Sequence, residues 1–202
     1  MPAIRSLCVY CGSQTGTNPA YTQAGLALGQ SMAEAGISLV YGGGAKGVMG
    51  AVAEGVRSAG GFSTGIIPRF LVAKESSQDS LKMLSEVILT DDMHQRKHLM
   101  FERSDAFIAL PGGIGTLEEI IEIMTWAQLG RHRKPIVFVN VERFWDPVLV
   151  LLDHMRSEGF IHTARLVQPA VVDDPRAVVA TVQSMVQRIE EEAVAGEDIA
   201  RM

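Results

Sequence analysis

A glycine-rich segment between two regular elements constrains the fold of this chain more than any other feature. The apolar run at residues 106–110 leads directly into the sequence PGGIGTLEE, residues 111–119, after which apolar residues recur with helical spacing. This order predicts a strand, a tight turn and a helix. Because glycines have no Cβ atom, Gly112, Gly113 and Gly115 allow several backbone N–H groups to converge at the start of the helix. The segment therefore predicts a site for an anion, most plausibly a phosphate.

Thr116 and Glu119 allow two interpretations of this segment. Their spacing is that of a capping box, in which both side chains bind free N–H groups at the start of a helix. Beside a phosphate-binding turn, however, the Glu119 carboxylate is also placed to act on a sugar or an attacking water molecule. The residues alone leave both roles open.

The remaining sequence alternates between strand and helix patterns. Strands are predicted at residues 4–11, 37–41, 62–67, 86–89, 106–110, 136–139 and 170–172. Helices are predicted at residues 19–35, 93–103, 147–156 and 175–192. Two more helices follow the glycine-rich turns and end at about residue 59 and at residue 129, and Asp91 or Asp92 is predicted to cap the helix at 93–103. Residues 69–79 are polar without clear periodicity and are predicted as a lid-like loop.

Short apolar strands that alternate with helices are typical of a parallel sheet covered on both faces. We therefore expect an α/β fold: a single doubly wound, Rossmann-like domain with a mainly parallel sheet. It should span residues 1–202, with a frayed tail after about residue 196. Ligands of such folds bind beyond the carboxyl ends of the strands. Three glycine-containing turns, after the first, second and 106–110 strands, converge at that edge.

Composition excludes several classes of function. The chain has 202 residues, of which 47% are hydrophobic, enough for a sizeable buried core. Its formal net charge of -5 argues against a nucleic-acid partner. No apolar stretch is long enough to cross a bilayer or to serve as a signal peptide, so we expect a cytoplasmic protein without a membrane partner.

Other candidate motifs are incomplete. Cys8 and Cys11 have C-x-x-C spacing, but Cys8 lies within a predicted strand, which favours packing over redox chemistry or zinc binding. The sequence HQRKH at residues 94–98 has glutamine where a zinc protease has its general base, and no metal site is expected. In that segment Arg96 or Lys97 could face inward and bind an anion, and the helical pattern does not choose between them. The fingerprints of dinucleotide binding and of the Walker A loop are both missing.

Several motifs together resemble the Lonely guy family, the cytokinin riboside 5'-monophosphate phosphoribohydrolases, long misnamed lysine decarboxylases. They are CGS at residues 11–13, YGGGAKGVMG at 41–50, GIIP at 65–68, DMHQRK at 92–97, PGGIGTLEE at 111–119 and TWAQLG at 125–130. The resemblance covers nearly the whole chain. It implies hydrolysis of the N-glycosidic bond of adenosine 5'-monophosphates, N6-substituted or plain AMP, to free base and ribose 5-phosphate. It also implies a homodimer that needs neither cofactor nor metal.

The resemblance assigns roles to individual residues. It implies that Arg96 and Glu119 form the catalytic pair, which decides between Arg96 and Lys97. The residues implied in substrate binding are Ser13, Gly43, Gly44, Glu75, Met93, Lys97, Gly112, Gly113, Ile114, Gly115, Thr116, Glu118 and Thr125.

Two departures from the family pattern and one alternative function complete the predictions. Gln14 replaces a common serine at the edge of the site, and Glu142 and Arg143 replace a usual glycine, where only a turn should change. The alternative function is a non-catalytic nucleotide-binding or carrier protein on the same fold. A decarboxylase would need a lysine for pyridoxal phosphate with its partners, and the sequence offers no such constellation.

Overall fold

The computed structural model describes residues 4–75, 77–161 and 168–200. Its strands are β1 (Ser6–Tyr10), β2 (Ser38–Tyr41), β3 (Ser63–Pro68), β4 (Glu86–Thr90), β5 (Ala106–Ala109), β6 (Ile136–Val139) and β7 (Ala170–Val172). Its α-helices are α1 (Ala20–Glu34), α2 (Gly47–Ser58), α3 (Val72–Glu75), α4 (Gln78–Leu81), α5 (Met93–Glu102), α6 (Ile114–Gln128), α7 (Asp146–Ser157) and α8 (Val178–Ala200). None of these helices is both long enough and apolar enough to cross a membrane.

The strands form one sheet in the order β4-β3-β2-β1-β5-β6-β7, and every neighbouring pair is parallel. The chain builds outward from β1 to β4 on one side and then returns to continue from β5 to β7 on the other. The strand order therefore reverses between β1 and β5, where Leu7 pairs with Ala106. This confirms the predicted doubly wound α/β fold and its parallel sheet.

Alternate residues of the central strands enter two separate hydrophobic clusters, one on each face of the sheet. Leu7 and Val9 of β1 pack with residues of α1, α2 and α8. Cys8 and Tyr10 of the same strand pack with residues of α5 and α6 and with Trp145. Because both faces are buried, these strands are apolar throughout, which explains why they lack the alternation of a half-exposed strand.

The segment predicted as a lid-like loop contains short helices instead. A 3₁₀ turn at Arg69–Leu71 leads into α3, and α4 follows. The start of α4 is fixed by two serines, because the Ser77 hydroxyl accepts a hydrogen bond from the backbone N–H of Ser80 while the Ser80 hydroxyl accepts one from that of Ser77. Helices of four residues are too short to show periodicity in the sequence, and this explains the wrong prediction.

The structure decides between two predicted caps at the start of α5 and differs from the prediction at the end of α8. Asp92, rather than Asp91, caps α5, because its carboxylate accepts a hydrogen bond of 2.8 Å from the N–H of Gln95. The Gln95 side chain in turn accepts a hydrogen bond of 2.9 Å from the N–H of Asp91. At the other end of the chain, α8 continues to Ala200, beyond the end predicted at residue 192.

The turn that departs from the family pattern contains two residues in the left-handed region. Glu142 has φ 51° and Arg143 has φ 60°, a conformation that costs a residue with a Cβ atom about 1–2 kcal/mol. We therefore expect Glu142→Gly to stabilise the protein by about 1 kcal/mol, a rise in Tm of roughly 2–4 °C for a chain of this size. Thermal unfolding followed by circular dichroism measures this change in Tm.

The matched control is Glu142→Ala, which removes the same carboxylate but keeps the Cβ atom. It should leave the Tm near that of the wild type. Equal Tm changes for the glycine and alanine variants would show that the strain at this position is not what limits stability.

Candidate active site

A cavity of about 320 Å³ lies beyond the carboxyl ends of β1 and β5, at the point where the strand order reverses. It is lined by Cys11, Gly12, Ser13, Met49, Leu71, Met93, Arg96, Gly113, Ile114, Gly115, Thr116, Glu118 and Glu119. The turn after β1 thus forms one wall and the glycine turn after β5 another. Ligands of doubly wound folds bind at this place.

Arg96 of α5 and Glu119 of α6 form an ion pair at the cavity. Their Nη2 and Oε1 atoms are 3.6 Å apart, and the side chains are only 4% and 9% exposed. The Nε atom of Arg96 is buried and has no hydrogen-bond partner among the described residues. A buried guanidinium with an unused donor at a cavity is suited to bind a polar or anionic ligand.

The backbone of Gly42 lies directly against the Arg96 guanidinium. A Cβ atom at Gly42 would overlap the Nη2 atom that faces Glu119. The position of the ion pair therefore depends on a glycine here. The prediction from sequence named Gly43 and Gly44 and missed Gly42, since nothing in a run of three glycines tells which one meets a side chain from a distant helix.

The capping-box interpretation of Thr116 and Glu119 is wrong. Helix α6 begins at Ile114 with Gly113 as its N-cap, so Thr116 is already the third helical residue. Glu119 lies in the second turn, where its side chain reaches Arg96 instead of the start of the helix. The first N–H groups of the helix therefore have no partner within it and are available to a ligand.

Gly112 lets the turn pack tightly above the end of β1. A Cβ atom there would overlap the Thr116 hydroxyl and approach the N–H of Gly12. In addition, the N–H of Gly12 donates a hydrogen bond of 3.1 Å to the carbonyl of Pro111. These contacts hold the walls after β1 and β5 together.

Lys97 is not among the lining residues of the cavity and contacts two carboxylates of α6 instead. Its Nζ atom is 2.7 Å from Glu118 and 3.1 Å from Glu122. Burial alone lowers the pKa of Lys97, but the hydrogen bonds to Glu118 and Glu122 outweigh it and raise the pKa above its usual value. Lys97 is therefore a fixed cation that links α5 to α6 beside the site.

The structure places the other predicted site residues in three groups. Those that line the cavity are Ser13, Met93, Gly113, Ile114, Gly115, Thr116 and Glu118. Gly43 and Gly44 lie behind it, the first with φ 75° next to Ile67 and the second next to Met49. Thr125 lines a different groove, between α6 and α7. The side chain of Glu75 lies outside the described part of the chain.

The two cysteines are buried in the strand β1 and directly after it, which agrees with a packing role. Burial raises the pKa of both Cys8 and Cys11. At pH 8.5, where an ordinary thiol is about half ionised, we expect neither to react with iodoacetamide in the folded protein. Mass spectrometry should find both modified only after denaturation. Rapid modification of the native chain would contradict the burial of these thiols.

Comparison with known proteins places this chain in a family. A family model described as "Possible lysine decarboxylase" matches residues 49–182. The cytokinin riboside 5'-monophosphate phosphoribohydrolase LOG7 of Arabidopsis thaliana is 42% identical over 93% of this chain and 82% of its own length. The rice (Oryza sativa subsp. japonica) phosphoribohydrolase LOG is 48% identical over 78% of this chain and 64% of its own length. The chain belongs to the Lonely guy family.

Several solved structures are similar to this Lonely guy protein, but in fold only. The molybdenum cofactor binding protein of Rippkaea orientalis has a TM-score of 0.67 and 22% identity over 92% of this chain and 99% of that one. The Moco carrier protein of Chlamydomonas reinhardtii has the same TM-score and coverage at 20% identity. Both share the fold, whereas the relatives with far higher sequence identity are named as hydrolases.

Proposed function

We propose that this protein hydrolyses the N-glycosidic bond of adenosine 5'-monophosphates, N6-substituted ones and AMP, to free base and ribose 5-phosphate. The buried pair of Arg96 and Glu119, set beside an open helix N-terminus, is the observation that carries the proposal. The names of the curated relatives support the same reaction. The cytoplasmic location and the single domain over residues 1–202 stay predictions from the sequence.

The glycine turn is the proposed phosphate site. Backbone N–H groups from Gly113 to Thr116 point out of the start of α6, where the helix dipole also favours a negative charge. Ser13 lines the same cavity and offers a hydroxyl. A nucleotide bound by its phosphate here would place its ribose close to Arg96 and Glu119.

Glu119 is the proposed catalytic carboxylate. Cleavage of the bond between C1' and the base nitrogen leaves positive charge on the sugar, as in glycoside hydrolysis. A carboxylate beside the ribose stabilises that charge and orients a water molecule toward C1'. The bonding electrons leave with the base, which takes up a proton, and the water oxygen becomes the hydroxyl on C1 of ribose 5-phosphate.

Arg96, which is paired with Glu119, supports this chemistry with its positive charge. Its unused Nε donor and its full positive charge can anchor the phosphate or offset negative charge on the departing base. The ion pair also orients the Glu119 side chain. The proposed residues need neither a metal nor a cofactor for hydrolysis.

A homodimer is part of the proposal and rests on an apolar groove of about 620 Å³ between α6 and α7. Leu151 and Met155 line it and are exposed by 50% and 39%. Thr125 lines this groove and not the cavity, so its contact with substrate stays a prediction from the family resemblance. Light scattering should show a dimer that Leu151→Glu converts to monomer, while Val150→Glu, on the same helix but outside the groove lining, should not. A monomeric wild type would exclude the dimer.

The activity is tested by incubating the pure protein separately with AMP and with N6-isopentenyladenosine monophosphate. Chromatography should detect free base from at least one of them. Nucleotide binding without any release of base from either would overturn the proposal and favour the alternative, a carrier protein.

A further inference from the structure

The loop between α6 and β6 makes two directed contacts with the helices that carry the ion pair. The Nδ1 atom of His132 accepts a hydrogen bond of 3.1 Å from the N–H of Lys134. Its Nε2 atom must then carry the proton, and it lies 2.9 Å from the carbonyl of Ile123 in α6. A neutral imidazole thus satisfies both contacts with one tautomer.

Lys134 contacts the other helix. Its Nζ atom donates to the carbonyl of Phe101, near the end of α5, at 2.7 Å. The same atom lies 4.1 Å from the centre of the Phe101 ring, within cation–π range. The His132 ring packs edge-on to Phe101 and to Phe107 of β5, with centroids 5.4 and 5.7 Å apart. Partial burial lowers the pKa of Lys134, because it disfavours the charged form of the side chain. A fully solvated lysine would not have this energetic cost.

These contacts lie on the same two helices as the proposed catalytic pair. Phe101 follows Arg96 by five residues on α5, and Ile123 follows Glu119 by four residues on α6. Helices move as rigid units over such short distances, so a shift at Phe101 or Ile123 is carried to the ion pair. The separation of 3.6 Å between Arg96 and Glu119 therefore depends on how the two helices are held together at this end.

We infer that His132 and Lys134 are positioning residues for the proposed hydrolysis: they hold α5 and α6 in the register that sets Arg96 against Glu119. The inference rests on the proposed function. Neither residue lines the cavity, so they act through the helices and not on the substrate. Lys97, with its contacts to Glu118 and Glu122, links the same helices from the cavity end.

Lys134→Met is the sharpest test, because methionine keeps an apolar stem beside Phe101 but removes the donor. The matched control is Arg133→Met on the same loop, since Arg133 forms an ion pair of 2.7 Å with Glu192 of α8. We expect Lys134→Met to lower kcat about tenfold or more with KM changed less than about twofold, because small misplacements of catalytic groups cost turnover more than binding. Arg133→Met should match the wild type.

A second variant and a second readout separate positioning from mere stability. His132→Phe keeps a ring against Phe101 and Phe107 but removes both hydrogen bonds, and it should also lower kcat at temperatures where the variant is fully folded. The NMR signal of the Arg96 Nε–H group should shift in Lys134→Met and stay in place in Arg133→Met. This readout needs no turnover.

The outcomes are distinct for the two proposals. If the wild type releases no base, the proposed function fails, and the Arg96 signal still decides whether His132 and Lys134 position the pair. If the wild type is active and both folded variants, Lys134→Met and His132→Phe, keep its kcat, the inference is overturned. A loss of kcat in both, with an unchanged control and a shifted Arg96 signal, supports it.

Discussion

Glu119→Gln should abolish turnover of N6-isopentenyladenosine monophosphate, with kcat lower by at least about 10³-fold. Glutamine has the shape of glutamate but no charge, so it can neither stabilise an oxocarbenium-like sugar nor take a proton from water. The phosphate site would remain, because it consists of backbone N–H groups at the start of α6. Binding of ribose 5-phosphate, measured by calorimetry, should therefore persist.

The matched control for this experiment is Glu122→Gln, one turn further along the same helix. Glu122 faces Lys97, which keeps its shorter contact with Glu118 when Glu122 is neutralised. The control should stay within about twofold of the wild-type kcat, as expected for a partly exposed carboxylate that shares its partner with Glu118. Substantial activity in Glu119→Gln would remove Glu119 from the chemistry and leave it a structural partner of Arg96.

Gly42→Ala should cost about 10²-fold in kcat, a loss that matches a misplacement of about 1 Å, and should lower the stability only through the loss of the buried ion pair. The new methyl group would occupy the place of the Arg96 Nη2 atom. Because that atom is the free end of a long side chain, the guanidinium can swing away with little strain elsewhere in the fold. The ion pair with Glu119 would be lost, and the cavity would be partly filled by the displaced side chain.

Two measurements decide whether Gly42→Ala acts through Arg96. Thermal unfolding should give a Tm no lower than that of Arg96→Met, which removes the same ion pair, and a crystal structure of the variant should show Arg96 turned away from Glu119. An active variant with Arg96 in its original place would contradict the packing described at Gly42. A Tm well below that of Arg96→Met would show that the backbone, and not only Arg96, had moved.

The fold could be predicted largely from the sequence because it depends on repeated local patterns. Apolar strands and periodic helices each span enough residues to be recognised, and their alternation implies a parallel sheet. The segment 69–81 could not be predicted in the same way, since the contacts between Ser77 and Ser80 fix a helix of one turn. The choice of Asp92 over Asp91 as the cap of α5 likewise depends on a single hydrogen bond.

The site was only partly open to prediction from sequence. The glycine turn after β5 marked its position, and the family resemblance pointed to Arg96 and Glu119. The contacts that position this pair join distant parts of the chain. Gly42 lies 54 residues before Arg96 in the sequence, and Lys134 follows Phe101 by 33 residues. Neither pairing leaves a local pattern, which is why both residues were found only in the folded structure.

The most direct test of the account is the stoichiometry of the products formed by the wild-type protein. N6-isopentenyladenosine monophosphate is incubated in water enriched in ¹⁸O, and base and sugar phosphate are quantified by mass spectrometry. The account predicts equal amounts of free base and ribose 5-phosphate, with one ¹⁸O atom on C1 of the sugar at early times, before exchange with the solvent, and neither product from Glu119→Gln. Intact nucleotide after incubation with the wild type, or base formed equally by Glu119→Gln, would contradict it.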